Sequence, residues 1–83
     1  MNLDEILVKV QETVCEKTAV KLSFDDILME NGLDSVSIIE LIINIEELFD
    51  IEFESSELNY KLLKSIRTIS EYIHHTINGD FYG

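Results

Sequence analysis

Apolar residues recur at intervals of three and four positions in three stretches of this chain, which is the spacing of one buried helix face. The first stretch predicts a helix over residues 2–18, with Asn2 placed to cap it. The second predicts a helix over about 35–49, and the third predicts one over about 66–77 that Ser65 caps. The positions expected to be buried are Leu3, Ile6, Leu7, Val10, Val14, Ile38, Leu41, Ile42, Ile45, Phe49, Ile66, Ile69, Ile73 and Ile77.

The segments between these helices differ in character. Residues 19–34 form a long connection whose many apolar members predict a loop packed on the core. Residues 50–54 alternate between polar and apolar types, but no partner strand is evident elsewhere, so a loop is predicted there too. A serine at 55 or 56 can cap a short helix over about 56–63.

Together these elements predict an all-α fold, a four-helix bundle with a long first loop and a short third helix. One domain is expected over residues 1–78, followed by a frayed tail over 79–83.

The second predicted helix carries an additional apolar stripe on another face. Val36, Ile39, Glu40, Ile43 and Glu47 share the helical spacing but are rotated away from the buried positions. A bundle of this size cannot easily bury both stripes. The second stripe, apolar residues edged with acids, is therefore expected to be a surface for a partner.

Charge supports this interpretation. The formal net charge is −11, and the 39 residues from Leu22 to Tyr60 contain eleven acids and neither Lys nor Arg. Such a surface repels nucleic acid and attracts a basic protein patch. No apolar run is long enough to span a membrane, and the N-terminus lacks a signal-peptide pattern. With one cysteine, Cys15, no internal disulfide is possible, which favours a cytoplasmic protein.

Candidate chemistry is sparse. An EF-hand is excluded because its alternating oxygen ligands are absent, and the adjacent pair His74-His75 has no ligand cluster at metal-binding spacing. Glu46-Glu47 is better explained as a solvated face than as an acid–base pair. Cys15 has no basic neighbour to activate it. Ser35 lacks a nearby base, so it is not expected to be a hydrolase nucleophile.

Ser35 has another interpretation, as an acceptor for a modification. At a helix start its hydroxyl can face solvent while Asp34 makes the cap. The unpaired N–H groups and the positive end of the helix would favour a phosphate attached there.

The motifs around this serine resemble those of the acyl carrier protein family. Gly32-Leu33-Asp34-Ser35-Val36 opens the second helix as the family's Gly-x-Asp-Ser-Leu-like segment does. Glu40-Leu41 and Ile45-Glu46-Glu47-Leu48-Phe49 follow as in the family, and residues 65–73 look like its last helix. The resemblance covers nearly the whole chain.

The resemblance implies that a phosphopantetheinyl transferase moves 4′-phosphopantetheine from coenzyme A onto Ser35, with Mg²⁺ held largely by the transferase. The arm's terminal thiol would then hold cargo as a thioester, and the carrier itself would not be an enzyme. Its partners would be that transferase and acyl-loading or acyl-processing enzymes with basic docking patches, without nucleic acid or membrane. The residues assigned to docking are Asp34, Val36, Ile39, Glu40, Ile43, Glu46 and Glu47.

The expected function is therefore a stand-alone, monomeric acyl carrier for fatty-acid or polyketide-like biosynthesis. An acyl chain would insert against Ile38, Ile42 and Leu58. Two alternatives stay open: an aminoacyl or peptidyl carrier of a nonribosomal-peptide-type pathway, and an acidic helical adaptor that is never modified.

Overall fold

The computed structural model of this chain describes residues 2–54 and 58–79. It contains, in order, α1 (Leu3–Thr18), a 3₁₀ helix (Leu28–Glu30), α2 (Ser35–Phe49) and α3 (Ile66–Asn78). Helix α1 contacts both α2 and α3, so it is the element on which the other two pack.

Each α-helix begins at the cap that the sequence predicts. The Asn2 side chain accepts a hydrogen bond from the Glu5 N–H at 2.9 Å, and the Glu5 carboxylate accepts from the Asn2 N–H at 3.5 Å. Ser65 and Thr68 make the same reciprocal capping box at the start of α3. These side chains satisfy N–H groups that have no partner inside the helix.

The all-α prediction is confirmed, but the four-helix count is not. Across residues 2–54 and 58–79 the structure has three α-helices and no strand. Of the predicted third helix, Ser55 and Ser56 lie outside the described residues, and 58–63 form turns. One turn is closed by the Leu63 N–H donating to the Asn59 carbonyl at 3.1 Å. The tail over 79–83 was predicted to fray. From position 80 onward, it lies outside the described residues.

The predicted helix faces form the core with few exceptions. Leu3 and Phe49 are only partly buried, and Ile77 is 37% exposed at the end of α3. Ser70 is fully buried instead, and its hydroxyl has no hydrogen-bond partner among the described residues. The remaining predicted positions are buried, namely Ile6, Leu7, Val10, Val14, Ile38, Leu41, Ile42, Ile45, Ile66, Ile69 and Ile73.

The long first loop packs on this core, as predicted, through Leu22, Leu28 and Leu33. Val20 is an exception and is exposed, because a turn closed by the Thr18 hydroxyl holds its backbone just outside the end of α1.

The same loop is fastened to the start of α3. The Arg67 N–H donates to the Phe24 carbonyl at 2.9 Å, and the Leu28 N–H donates to the Lys64 carbonyl at 2.9 Å. The Arg67 guanidinium also pairs with the Asp25 carboxylate at 2.6 and 3.1 Å. The loop is therefore a fixed part of the fold.

No helix in the described part of the chain is both long enough and apolar enough to cross a membrane.

The end of α1 offers a stabilising substitution. Ala19 has φ 60° and ψ 18°, a left-handed conformation that costs an L-residue about 1–2 kcal/mol and glycine much less. We expect Ala19→Gly to raise the free energy of unfolding by about 0.5–1 kcal/mol, measured by urea denaturation. Glu12→Gly is the matched control, because Glu12 has helical geometry and the same change should destabilise there. A loss of stability in Ala19→Gly would contradict the prediction.

Candidate attachment site at the start of helix α2

The turn before α2 determines which residues reach the surface. Gly32 has φ 99°, a conformation that L-residues rarely adopt, and it lies two residues beyond the end of the 3₁₀ helix. The Leu33 N–H then donates to the Leu28 carbonyl at 3.3 Å, and the Leu33 side chain is buried. With Leu33 anchored in the core, Asp34 and Ser35 lie outside it and are both exposed.

Asp34, and not Ser35, makes the cap. The Asp34 carboxylate accepts a hydrogen bond from the Ser37 N–H at 2.8 Å. Ser35 is the first residue of α2, and its hydroxyl makes no hydrogen bond to any residue that the structure describes. The serine is therefore an exposed hydroxyl on a rigid helix end. The free N–H groups and positive helix dipole there suit a phosphate attached to it.

Two contacts with Ser37 lower the pKa of Asp34 below its ordinary value. The hydrogen bond from the Ser37 N–H has the larger effect, and the contact with the Ser37 hydroxyl has the smaller one. Because the pKa is lowered in the folded state, the stabilisation is fully present above the ordinary pKa. The stabilisation is lost as the pH falls through the lowered, folded-state pKa of Asp34.

We therefore expect Asp34→Ala to lower the melting temperature at pH 7 by roughly 5 °C through loss of the helix cap. The difference from the parent should begin to shrink below a pH of about 4, the ordinary pKa of an Asp carboxyl. It should continue to shrink as the pH falls through the lowered pKa of Asp34, where the folded-state carboxylate becomes protonated. Asp34→Ser, which keeps a capping oxygen, is the control and should melt close to the parent. A difference that is independent of pH would show that the carboxylate charge does not matter.

An apolar cavity of about 290 Å³ adjoins Ser35. This volume is near the lower end of the roughly 300–1,000 Å³ typical of small-molecule pockets. Asn59 is the one amide in its lining. The other side chains that form its walls are Met29, Ile38, Ile39, Leu58, Tyr60 and Leu63. Of the residues expected to contact an acyl chain, Ile38 and Leu58 line the cavity. Ile42 does not line it.

The structure places most of the expected docking residues on one exposed side of α2. Val36 is 68% exposed, and Ile39 and Ile43 are each about half exposed. Both Glu40 and Glu47 are also exposed. The second stripe of α2 is therefore a surface in this fold, as the sequence indicates.

Two of the three predicted docking acids on α2 have partners within the chain. The Glu46 carboxylate accepts a hydrogen bond from the Phe53 N–H at 2.8 Å, so it helps to hold the segment after α2. Glu40 lies 4.0 Å from the Lys17 ammonium group and is still mostly exposed. Glu47 has no such contact among the described residues, which leaves its charge the most available of the three.

Sequence reasoning missed two residues beside Ser35. Met29 is 44% exposed and Tyr60 is 62% exposed, although both line the cavity. Both lie in non-α segments, the 3₁₀ helix and the 58–63 turns, where helical spacing gives no signal.

The other candidate groups form no comparable site. Residues 2–54 and 58–79 contain no group of three or more His, Cys, Asp or Glu side chains that could hold a metal ion. The His74 and His75 rings lie 6.2 Å apart at 77°, as neighbouring positions on one helix would. Cys15 is half-buried on α1.

An exposed serine at a helix start, beside an apolar cavity and an acidic surface, fits a protein that carries a group for other proteins. Residues 8–73 match the family described as "Phosphopantetheine attachment site". The chain belongs to this family of acyl carrier proteins, whose domain is the site of covalent attachment of 4′-phosphopantetheine.

Relatives that are named for different cargoes are similar to this chain. An acyl carrier protein of Phytoplasma mali (strain AT) is 35% identical over 82 residues, which is 92% of this chain and 94% of that protein. A D-alanyl carrier protein of Abiotrophia defectiva is 26% identical over 72 residues, 86% and 91% of the two chains. An aminoacyl carrier protein of Agrobacterium fabrum (strain C58 / ATCC 33970) is 40% identical over 48 residues, 58% of each chain.

Proposed function

We propose that this chain is a non-catalytic acyl carrier whose 4′-phosphopantetheine arm is attached to the Ser35 hydroxyl. The arm presents acyl intermediates, held as thioesters, to enzymes of fatty-acid or polyketide-like biosynthesis. The observation that carries the proposal is the division of roles at the start of α2. Asp34 makes the cap, so the exposed Ser35 hydroxyl is left without a structural task.

The attachment is a phosphoryl transfer on Ser35. Its oxygen forms a new bond to the phosphorus that bears pantetheine and gives its proton to the transferase. The pyrophosphate bond of coenzyme A breaks, and adenosine 3′,5′-bisphosphate leaves. When bound, the arm supplies the thiol that forms the thioester. The chain itself supplies the handle, held by the Asp34 cap and the buried Leu33, with free N–H groups near the phosphate.

Acyl cargo is favoured by the cavity that begins at Ser35. Its walls are almost entirely apolar, so burying a hydrocarbon chain against them is favourable because apolar surface is removed from water. The same walls provide almost no partner for a charged amino group, whose burial would be unfavourable. The alternative, an aminoacyl cargo, is supported by the names of two relatives, a D-alanyl and an aminoacyl carrier protein. Loading the primed chain by an acyl-transferring and by an aminoacyl-transferring enzyme in parallel separates the two.

A direct test is to incubate the purified chain with coenzyme A, Mg²⁺ and a broad-specificity phosphopantetheinyl transferase, and to measure its intact mass. The proposal predicts the addition of one phosphopantetheine group. No addition, under conditions that modify a known carrier completely, would favour the unmodified adaptor.

We propose further that partner enzymes dock on the exposed stripe of α2, with basic patches facing its acids. We expect the carrier to act as a monomer in the cytoplasm, where reducing conditions keep the arm's thiol free.

Glu47→Lys tests this docking surface. Reversing an exposed charge changes the association rate more than the fold, so we expect priming by a basic transferase to slow about three- to tenfold with an unchanged melting temperature. Glu12→Lys on α1 makes the same charge change outside the stripe and should have a much smaller effect. Equal slowing by both variants would show that only total charge matters. Glu46 is unsuitable, because its substitution would also release the Phe53 N–H.

A further inference from the structure

The cavity beside Ser35 is built from one wall on an α-helix and two walls outside the α-helices. The helix wall, Ile38 and Ile39, belongs to α2. The loop wall is Met29, in the 3₁₀ helix, and the turn wall comprises Leu58, Asn59, Tyr60 and Leu63. Because neither of the latter walls is part of an α-helix, the width of the cavity depends on what holds the loop to the turns.

One backbone hydrogen bond joins the loop wall to the turn wall, and a second joins the same loop to the start of α3. The Leu28 N–H donates to the Lys64 carbonyl at 2.9 Å, and these residues are the chain neighbours of Met29 and Leu63. One step further from the cavity, the Arg67 N–H donates to the Phe24 carbonyl at 2.9 Å. The loop wall is thus tied to the turn wall through the chain neighbours of Met29 and Leu63, and the loop is tied to α3 as well.

One pair of side chains reinforces this tie. The Arg67 Nε lies 2.6 Å from Asp25 Oδ1, and its Nη2 lies 3.1 Å from Asp25 Oδ2, a bidentate arrangement that restrains angle as well as distance. The Arg67 guanidinium also lies 5.9 Å from the centre of the Phe24 ring. Consistently, the hydrogen bond from Arg67 lowers the pKa of Asp25.

We propose that Arg67 and Asp25 form a clamp that sets the separation of the loop wall and the turn wall, and so controls how well the cavity shelters an acyl chain. Arg67 is a positioning residue, since it lines no part of the cavity itself. The inference rests on the proposed attachment at Ser35. Exposed ion pairs contribute little to global stability, so the effect is expected on cargo and not on folding.

The test compares octanoyl and acetyl thioesters on the arm of the primed full chain. Hydroxylamine attacks the thioester carbonyl, the C–S bond breaks, and the arm's thiol and a hydroxamate are released. The protection factor is the cleavage rate on free pantetheine divided by the rate on the carrier. We expect the parent to protect octanoyl but not acetyl, and Arg67→Ala to lower octanoyl protection about two- to fivefold without changing acetyl.

Three controls separate the clamp from other effects. Lys64→Ala removes an exposed positive charge nearby and keeps the backbone bond, so octanoyl protection should be unchanged. Glu12→Gly destabilises α1 away from the cavity and should also leave it unchanged. The exchanged pair, Asp25→Arg with Arg67→Asp, should restore protection to within about twofold of the parent.

Each outcome is decisive. Equal octanoyl protection in Arg67→Ala and the parent, or no octanoyl protection in the parent, would overturn the clamp while attachment at Ser35 stands. A chain that the transferase cannot prime would overturn the proposed function itself.

Discussion

Replacing Ser35 by alanine should abolish attachment of phosphopantetheine and leave the fold intact. The side chain is exposed, and its hydroxyl makes no hydrogen bond within the described residues, so the free energy of unfolding should change by less than about 0.5 kcal/mol. The modified fraction should fall from near complete to undetectable. Intact-mass measurement after priming and a thermal melt of the same sample test both halves of this prediction.

Ser37→Ala is the matched control, because Ser37 lies on the same helical turn. The variant loses the weaker contact between the Ser37 hydroxyl and Asp34 but keeps the hydrogen bond from the Ser37 N–H to the Asp34 carboxylate, so it should fold and be primed like the parent. Residual modification of Ser35→Ala would mean that another hydroxyl is the acceptor. Loss of modification in both variants would indicate damage to the recognition surface and not loss of the acceptor.

Leu41→Ala should have the largest effect on stability. Leu41 is completely buried in the middle of α2, and truncating such a leucine typically costs about 2–5 kcal/mol through lost burial and the cavity left behind. A domain of this length is stabilised by only about 4–12 kcal/mol in total. The melting temperature should therefore fall by at least about 10 °C, measured by circular dichroism.

The control for this change lies two turns further along the same helix. Leu48→Ala removes the same atoms from a side chain that is 51% exposed, so it should cost much less than Leu41→Ala. Similar losses for the two variants would contradict the assignment of the buried and exposed faces of α2. The docking proposal, which depends on the exposed face of α2, would then also be contradicted.

Helical spacing was sufficient to predict the three α-helices and most of the core. Burial of one face imposes a period that is visible in the sequence, and short polar side chains mark the N-terminal caps Asn2, Asp34 and Ser65. The exposure of Ser35 also followed from local chemistry, since one capping oxygen is enough and Asp34 provides it. These features depend on residues close together in the chain.

Features that depend on distant residues could not be predicted. Asp25 and Arg67 are 42 positions apart, and nothing in their local sequence indicates that they pair. The hydrogen bond from the Phe53 N–H to Glu46 depends on how the segment after α2 folds back. Ser70 occupies a buried position where the pattern suggested none, and Ile77, at the end of α3, is partly exposed in spite of its spacing.

The cavity illustrates the same limit. Ile38 and Leu58 were expected beside an acyl chain and line it, whereas Met29 and Tyr60 join it from segments without helical periodicity. The positions of Met29 and Tyr60 depend on the contacts that fasten the first loop to the start of α3.

The most direct test of the central claim is to isolate the chain from cells that prime their own carriers, digest it, and sequence the peptide that spans the start of α2 by tandem mass spectrometry. The account predicts that phosphopantetheine is found on this peptide and that the fragment ions place it on Ser35. An unmodified peptide, in cells whose other carriers are fully primed, would contradict the account, as would an arm located on Ser37.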